Sequence, residues 1–131
     1  MADNFKLAVE MILSENADYS DEDWAVDEDD WPAYEIDPTE YIGPQKVLVA
    51  TAGTTLEGVS TLATSACLVL KNLDTSNYVQ VAWTDISTTA CVARVPAGGI
   101  LAVPLLNPGT DPVVTANGAA CYCKFVIVQT V

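Results

Sequence analysis

Two acidic runs, Asp21-Glu22-Asp23 and Asp27-Glu28-Asp29-Asp30, hold the densest chemically active side chains in the sequence. Carboxylate oxygens in such number suit Ca²⁺ or Mg²⁺. The spacing does not, because an EF-hand loop needs acids at alternate positions, a Gly and a distal Glu in register. We read the runs as solvated charge, or as the complement of a partner's Arg and Lys, and expect no metal and no cofactor. The cysteines, Cys67, Cys91, Cys121 and Cys123, form no Cys-x-x-Cys, and there is no histidine to complete a mixed zinc site. They are expected to be reduced, small core residues. Without histidine, Ser-His-Asp and Cys-His nucleophile systems are excluded. No Gly-x-x-x-x-Gly-Lys loop cradles phosphates. A carboxylate pair for glycoside hydrolysis would need rigid strands to fix its separation, and most of the acids lie in a Trp- and Pro-spaced stretch instead. The expectation is a protein with no catalytic residues, not an enzyme.

What positions these residues is a chain in two parts. Of 18 acids, 14 lie in residues 1–45 beside the single base Lys6. In residues 46–131, Glu57, Asp74, Asp85 and Asp111 offset Lys46, Lys71, Arg94 and Lys124, so the net charge of −13 belongs to the first part. Such asymmetry marks an arm, and it argues against direct nucleic-acid binding, which needs a basic footprint. Imitation of DNA by the acids would need a rigid rod, and Pro32, Pro38 and Pro44 interrupt one. No apolar run reaches the roughly 18 residues of a membrane-spanning helix. The first residues carry acid rather than a basic n-region, so a soluble protein made in the cytoplasm is expected.

Within the arm, Phe5, Leu7, Val9, Met11 and Leu13 alternate with more polar neighbours, which predicts a strand over 5–13. A lone strand must pair with the body or with a neighbouring subunit. Residues 15–40 interleave acids with Tyr19, Trp24, Trp31 and Tyr34, and Tyr41 precedes a Gly43-Pro44 turn signal. Large aromatics are the anchors with which a segment docks into pockets. The predicted partner-binding set is therefore Trp24, Trp31, Tyr34 and Tyr41 with Asp27, Glu28, Asp29 and Asp30.

From 46 to 131 the pattern is short apolar strands ended by turns: 47–50, 66–70, 78–83, 90–95, 100–106, 113–115 and 119–129. Pro104 suggests an edge or a bulge. Asn117-Gly118 is a type I′ hairpin signal. Both faces of the last strand are apolar near its end, as a central strand requires. The fold class read from this is all-β: a β-sandwich or jelly-roll-like body with an extended acidic N-terminal arm.

Three stretches of the body carry a resemblance. They are Cys67-Leu68-Val69-Leu70-Lys71-Asn72-Leu73-Asp74 with Asn77-Tyr78-Val79-Gln80-Val81; Arg94-Val95-Pro96-Ala97-Gly98-Gly99 with Leu101-Ala102-Val103-Pro104-Leu105; and residues 115–125. Together they resemble small β-sandwich virion structural proteins of tailed bacteriophages over roughly residues 66–128. The resemblance implies a structural virion protein, assembled in the host cytoplasm and located in the virion. Its first form is a capsid decoration (cement) protein that binds the major capsid protein or other virion proteins and self-associates. Its second form is a neck, tail or fibre component in a symmetric oligomer. A third reading is a receptor- or glycan-binding module, with Tyr78, Tyr122 or Trp83 exposed in a concavity to stack on sugar rings.

Overall fold

Alternating apolar and polar residues bury one face of a strand, and two such faces must cover each other. A computed structural model describes residues 5–7, 12–13, 24–25, 34–36, 40–62 and 65–129. They fall into two units, Met1–Asp37 and Pro38–Val131.

In the first unit β1 (Phe5–Leu7) pairs antiparallel with β4 (Tyr34–Ile36), and β2 (Ile12–Leu13) pairs with β3 (Trp24–Ala25). The strand expected over 5–13 is thus represented by β1 and β2, while residues 8–11 lie outside the described residues. The described pieces pair with one another inside their own unit. In sequence the β2–β3 pairing lies inside the β1–β4 pairing.

The second unit is two antiparallel sheets of four strands each. One has the order β10 (Ile100–Leu106), β7 (Ala66–Asn72), β12 (Cys121–Gln129), β5 (Tyr41–Val49). The other has the order β6 (Thr54–Thr55), β11 (Val113–Ala116), β8 (Val79–Thr84), β9 (Ala90–Val95). Between them lies one apolar core. Val49, Leu68, Leu70, Phe125 and Ile127 come from the first sheet, and Val79, Val81, Val95 and Val114 from the second. Leu56, Val59 and Leu62, around a short 3₁₀ turn, complete it. Each such side chain contributes roughly 1.5–3 kcal/mol by leaving water. The sheets are also joined at one end, where Asp85 bridges Leu106 and the Asn107 N–H donates to the Thr84 carbonyl at 2.8 Å.

Three local features differ from the sequence reading. The strand expected at 47–50 begins at Tyr41, because Gly43-Pro44 makes a bulge and not a turn: Gln45 faces Phe125 and Ile42 faces Ile127, so two residues oppose Val126 alone. Proline is tolerated there because β5 is an edge strand. Asn117-Gly118 joins no hairpin, since β11 and β12 belong to different sheets. Gly118 has φ +82, so it serves a reversal between sheets with the same left-handed backbone a hairpin would use. Pro104 does lie on an edge strand, at a register shift between Val103 and Leu106. Third, the expectation of four buried thiols fails at Cys91, which is half-buried, whereas Cys67, Cys121 and Cys123 are buried.

One buried polar side chain organises the loops at the end of the sandwich opposite the Asp85 bridge. Asn72 has no exposed surface. Its amide donates to the carbonyls of Asn77 (2.9 Å), Val95 (3.2 Å) and Pro96 (3.2 Å), and its side-chain oxygen accepts from the Asp74 N–H at 3.0 Å. The Asn72 N–H reaches the Gly99 carbonyl at 3.0 Å. A single side chain thereby pins the β7–β8 loop to the β9–β10 loop.

Candidate functional site

The residues expected to bind a partner divide three ways. Trp24 stands in β3 opposite Leu13, and Tyr34 in β4 opposite Leu7, on separate two-stranded sheets of the first unit. Trp31, Asp27, Glu28, Asp29 and Asp30 lie outside the described residues. Tyr41 opens β5 in the second unit and is 48% exposed. It lines a shallow open cleft of about 400 Å³ with Glu40, Ile42, Thr61 and Leu62.

The body's aromatics occupy other settings. Tyr78 lies beneath the Arg94 guanidinium, 4.8 Å from ring centroid to Cζ. Trp83 packs against the core. Tyr122 is exposed on the open face of the first sheet, with the Lys46 ammonium 4.5 Å from its ring. Tyr41 is the aromatic of this cleft, which Tyr78, Trp83 and Tyr122 do not line.

A feature that residue types alone did not suggest appears on that same face. β7 turns Leu68 and Leu70 to the core and Lys71 outward, and β12 turns Cys123 and Phe125 inward and Lys124 outward. The register sets Lys124 opposite Lys71 on one side and opposite Lys46 on the other. Ile100 continues the row on β10. Three of the body's four cations thus form a ladder across adjacent strands, about 4.8 Å apart per step. Beside it Leu48 pairs with Tyr122, and both are half exposed. The signal in sequence was only a Lys in each strand's outward slot; strand register alone aligns them.

Three of the body's four carboxylates are engaged in turns and loops. Asp74 accepts from the N–H groups of Ser76 (3.0 Å) and Asn77 (2.6 Å), which hold its carboxyl below the usual range. Asp85 accepts from Ser87 and Thr89, each at 2.9 Å, and Asp111 from Ser60 at 3.2 Å. These are stabilising contacts in turns and loops, and among the described residues no carboxylate pairs with the lysine ladder.

The three buried thiols, Cys67, Cys121 and Cys123, are poor nucleophiles in the folded chain. Burial pushes Cys67 up to about 11, and burial with neighbouring Cys121 and Asp74 pushes Cys123 up to about 11. Cys121 is raised by burial, then by Asp74. Among the described residues no three His, Cys, Asp or Glu side chains gather as a metal site would need. A raised thiol favours the neutral form in the fold, so its contribution is complete below the unfolded value of 9.0 and is lost as pH rises toward about 11. We expect the urea midpoint to fall across that window. The Cys67→Ala/Cys123→Ala double variant should show a flatter fall, and an equal slope in both proteins would contradict the assignment.

The chain matches no protein-family model, no curated protein and no solved structure.

Proposed function

We propose that the protein is a structural virion component of a tailed bacteriophage, a capsid decoration protein whose N-terminal segment attaches it to capsid subunits. The observation that carries this reading is the division of charge: 14 of 18 acids, interleaved with Trp and Tyr, precede a body whose own charges cancel. A segment of that kind suits a basic, pocketed surface repeated many times, where weak contacts multiply into firm attachment. The body supports the same reading. Its order, β10-β7-β12-β5 over β6-β11-β8-β9, is the one two interlocked Greek keys produce, and jelly rolls of this kind recur in viral capsid domains. The fold is an analogy and by itself assigns no function.

The test is the copy number of the protein in purified particles, measured by quantitative mass spectrometry. A decoration protein is present at a level comparable to the major capsid protein. A handful of copies per particle moves the assignment to the neck, tail or fibre, and absence from particles overturns it.

A second reading rests on the cleft at Tyr41. A half-exposed aromatic in a cleft also lined by Glu40 and Thr61 has the composition of a sugar subsite, and jelly rolls also occur as lectin domains. Glycan-array binding lost in Tyr41→Ala would favour it.

A further inference from the structure

Among the described residues the lysine ladder forms no ion pair. Like charges directly opposite on neighbouring strands destabilise a sheet. Lys46, Lys71 and Lys124 are nonetheless stacked across three strands, exposed, and without a carboxylate partner among the described residues. The Lys46 ammonium lies over the Tyr122 ring. Three of the four body acids are held by backbone N–H groups in turns, as described above. A face that is cationic, open and edged by exposed Leu48, Tyr122 and Ile100 is complementary to an acidic segment that also carries large aromatics.

We infer that this face is a self-association surface, and that its occupant is the acidic, aromatic-bearing N-terminal segment (residues 15–40) of a second copy of the chain. The alternatives fit less well. A nucleic-acid backbone meets the charge of the ladder but offers nothing to Leu48 and Ile100, and a chain of net charge −13 repels it. The segment supplies both halves of the match, with twelve acids in 15–40 and Trp24, Trp31, Tyr19 and Tyr34 among them. Each copy carries one acidic segment and one cationic face, so the contact is heterologous: it closes into a ring or continues as a chain of copies. Twelve acids exceed three lysines, which leaves charge for a further basic surface. The inference concerns the free protein and holds whether or not the capsid reading does.

The experiment is sedimentation velocity of the full chain over a range of concentrations, in 0.1 M and 1 M salt, where the screening length drops from about 10 Å to 3 Å. Wild type should associate with concentration at the lower salt and dissociate at the higher. Lys71→Glu/Lys124→Glu should weaken association on the order of tenfold, as expected when two exposed ion pairs become repulsive. Lys71→Gln/Lys124→Gln should fall between, which covers the case of a charge-reversed chain that does not fold. A peptide of residues 15–40 added in trans should dissociate the wild-type assembly. A chain that stays monomeric at every concentration in 0.1 M salt overturns the inference. So does association that survives the folded Lys variants, and a peptide that does not compete overturns the assigned occupant.

Discussion

Asn72→Asp is expected to destabilise the body by about 3–5 kcal/mol at neutral pH, the cost of a buried charge left without a partner. The amide it replaces donates to three carbonyl oxygens, and a carboxylate there would face all three with no proton to offer. Asn72→Ala should cost about 2–4 kcal/mol, from unsatisfied carbonyls and the void left behind. The two variants differ in pH dependence. An aspartate in this setting is held protonated by the fold, so its folded pKa lies above the ordinary value of about 3.9. Its deficit is smallest below that value and grows as pH rises. Urea unfolding at acid and neutral pH measures both effects. A loss below about 1 kcal/mol in both variants would contradict the hub, since a lost exposed contact costs no more than that.

Gly43→Val is the second large effect, expected near 2–4 kcal/mol by the same measurement, with Gly43→Ala toward the lower end. Gly43 has φ +87, where a side chain is strained, and a Cβ there would lie 2.7 Å from the Phe125 carbonyl oxygen and 2.9 Å from the Gln45 N. Both obstacles are backbone in a paired strand, so neither moves without breaking β5–β12 pairing. Gly98→Ala is the matched control: it also has positive φ, at 72, but an added Cβ meets nothing within 4 Å. Gly98→Ala should cost only the backbone term, about 1–2 kcal/mol. Equal losses at Gly43 and Gly98 would show that the bulge contact carries no energy.

These positions also show where the amino-acid sequence speaks and where it stops. The strands of the body are legible because alternation survives burial of one face: Cys121, Cys123, Phe125 and Ile127 face the core, as their spacing says. Pro104 is legible because a missing N–H is tolerated only at an edge or a bulge, and β10 has both. Gly43-Pro44 and Asn117-Gly118 are half legible. Their backbone needs are read correctly, but a turn, a bulge and a crossing between sheets share those needs and differ only in what the flanking strands pair with. Asn72 reads as a turn residue because its three acceptors lie 5 to 24 residues away in sequence. The lysines at 46, 71 and 124 read as balanced charge, since cancellation counts residues and ignores register. In the first unit, alternation predicts one strand over 5–13, and Phe5–Leu7 and Ile12–Leu13 within it are strands, but alternation does not say that their partners are Tyr34–Ile36 and Trp24–Ala25. Of the expected binding residues, Tyr41 lies among those whose exposure is described, half-exposed in a cleft.

The central claim, attachment through the acidic N-terminal segment, is most directly tested by co-sedimentation with emptied, undecorated capsids. Full-length protein would be compared with a chain lacking residues 1–37, in 0.1 M and 1 M salt. The deletion must stop there, because β5 begins at Tyr41 and the Glu40 carbonyl accepts from the Gln129 N–H at 2.9 Å. Thermal unfolding of the shortened chain checks that its body is intact. The account predicts that the full chain sediments with capsids in 0.1 M salt, is released in 1 M salt as exposed charge is screened, and that the shortened chain stays in the supernatant. Failure of the full chain to attach, or equal attachment by a folded chain without residues 1–37, would contradict it.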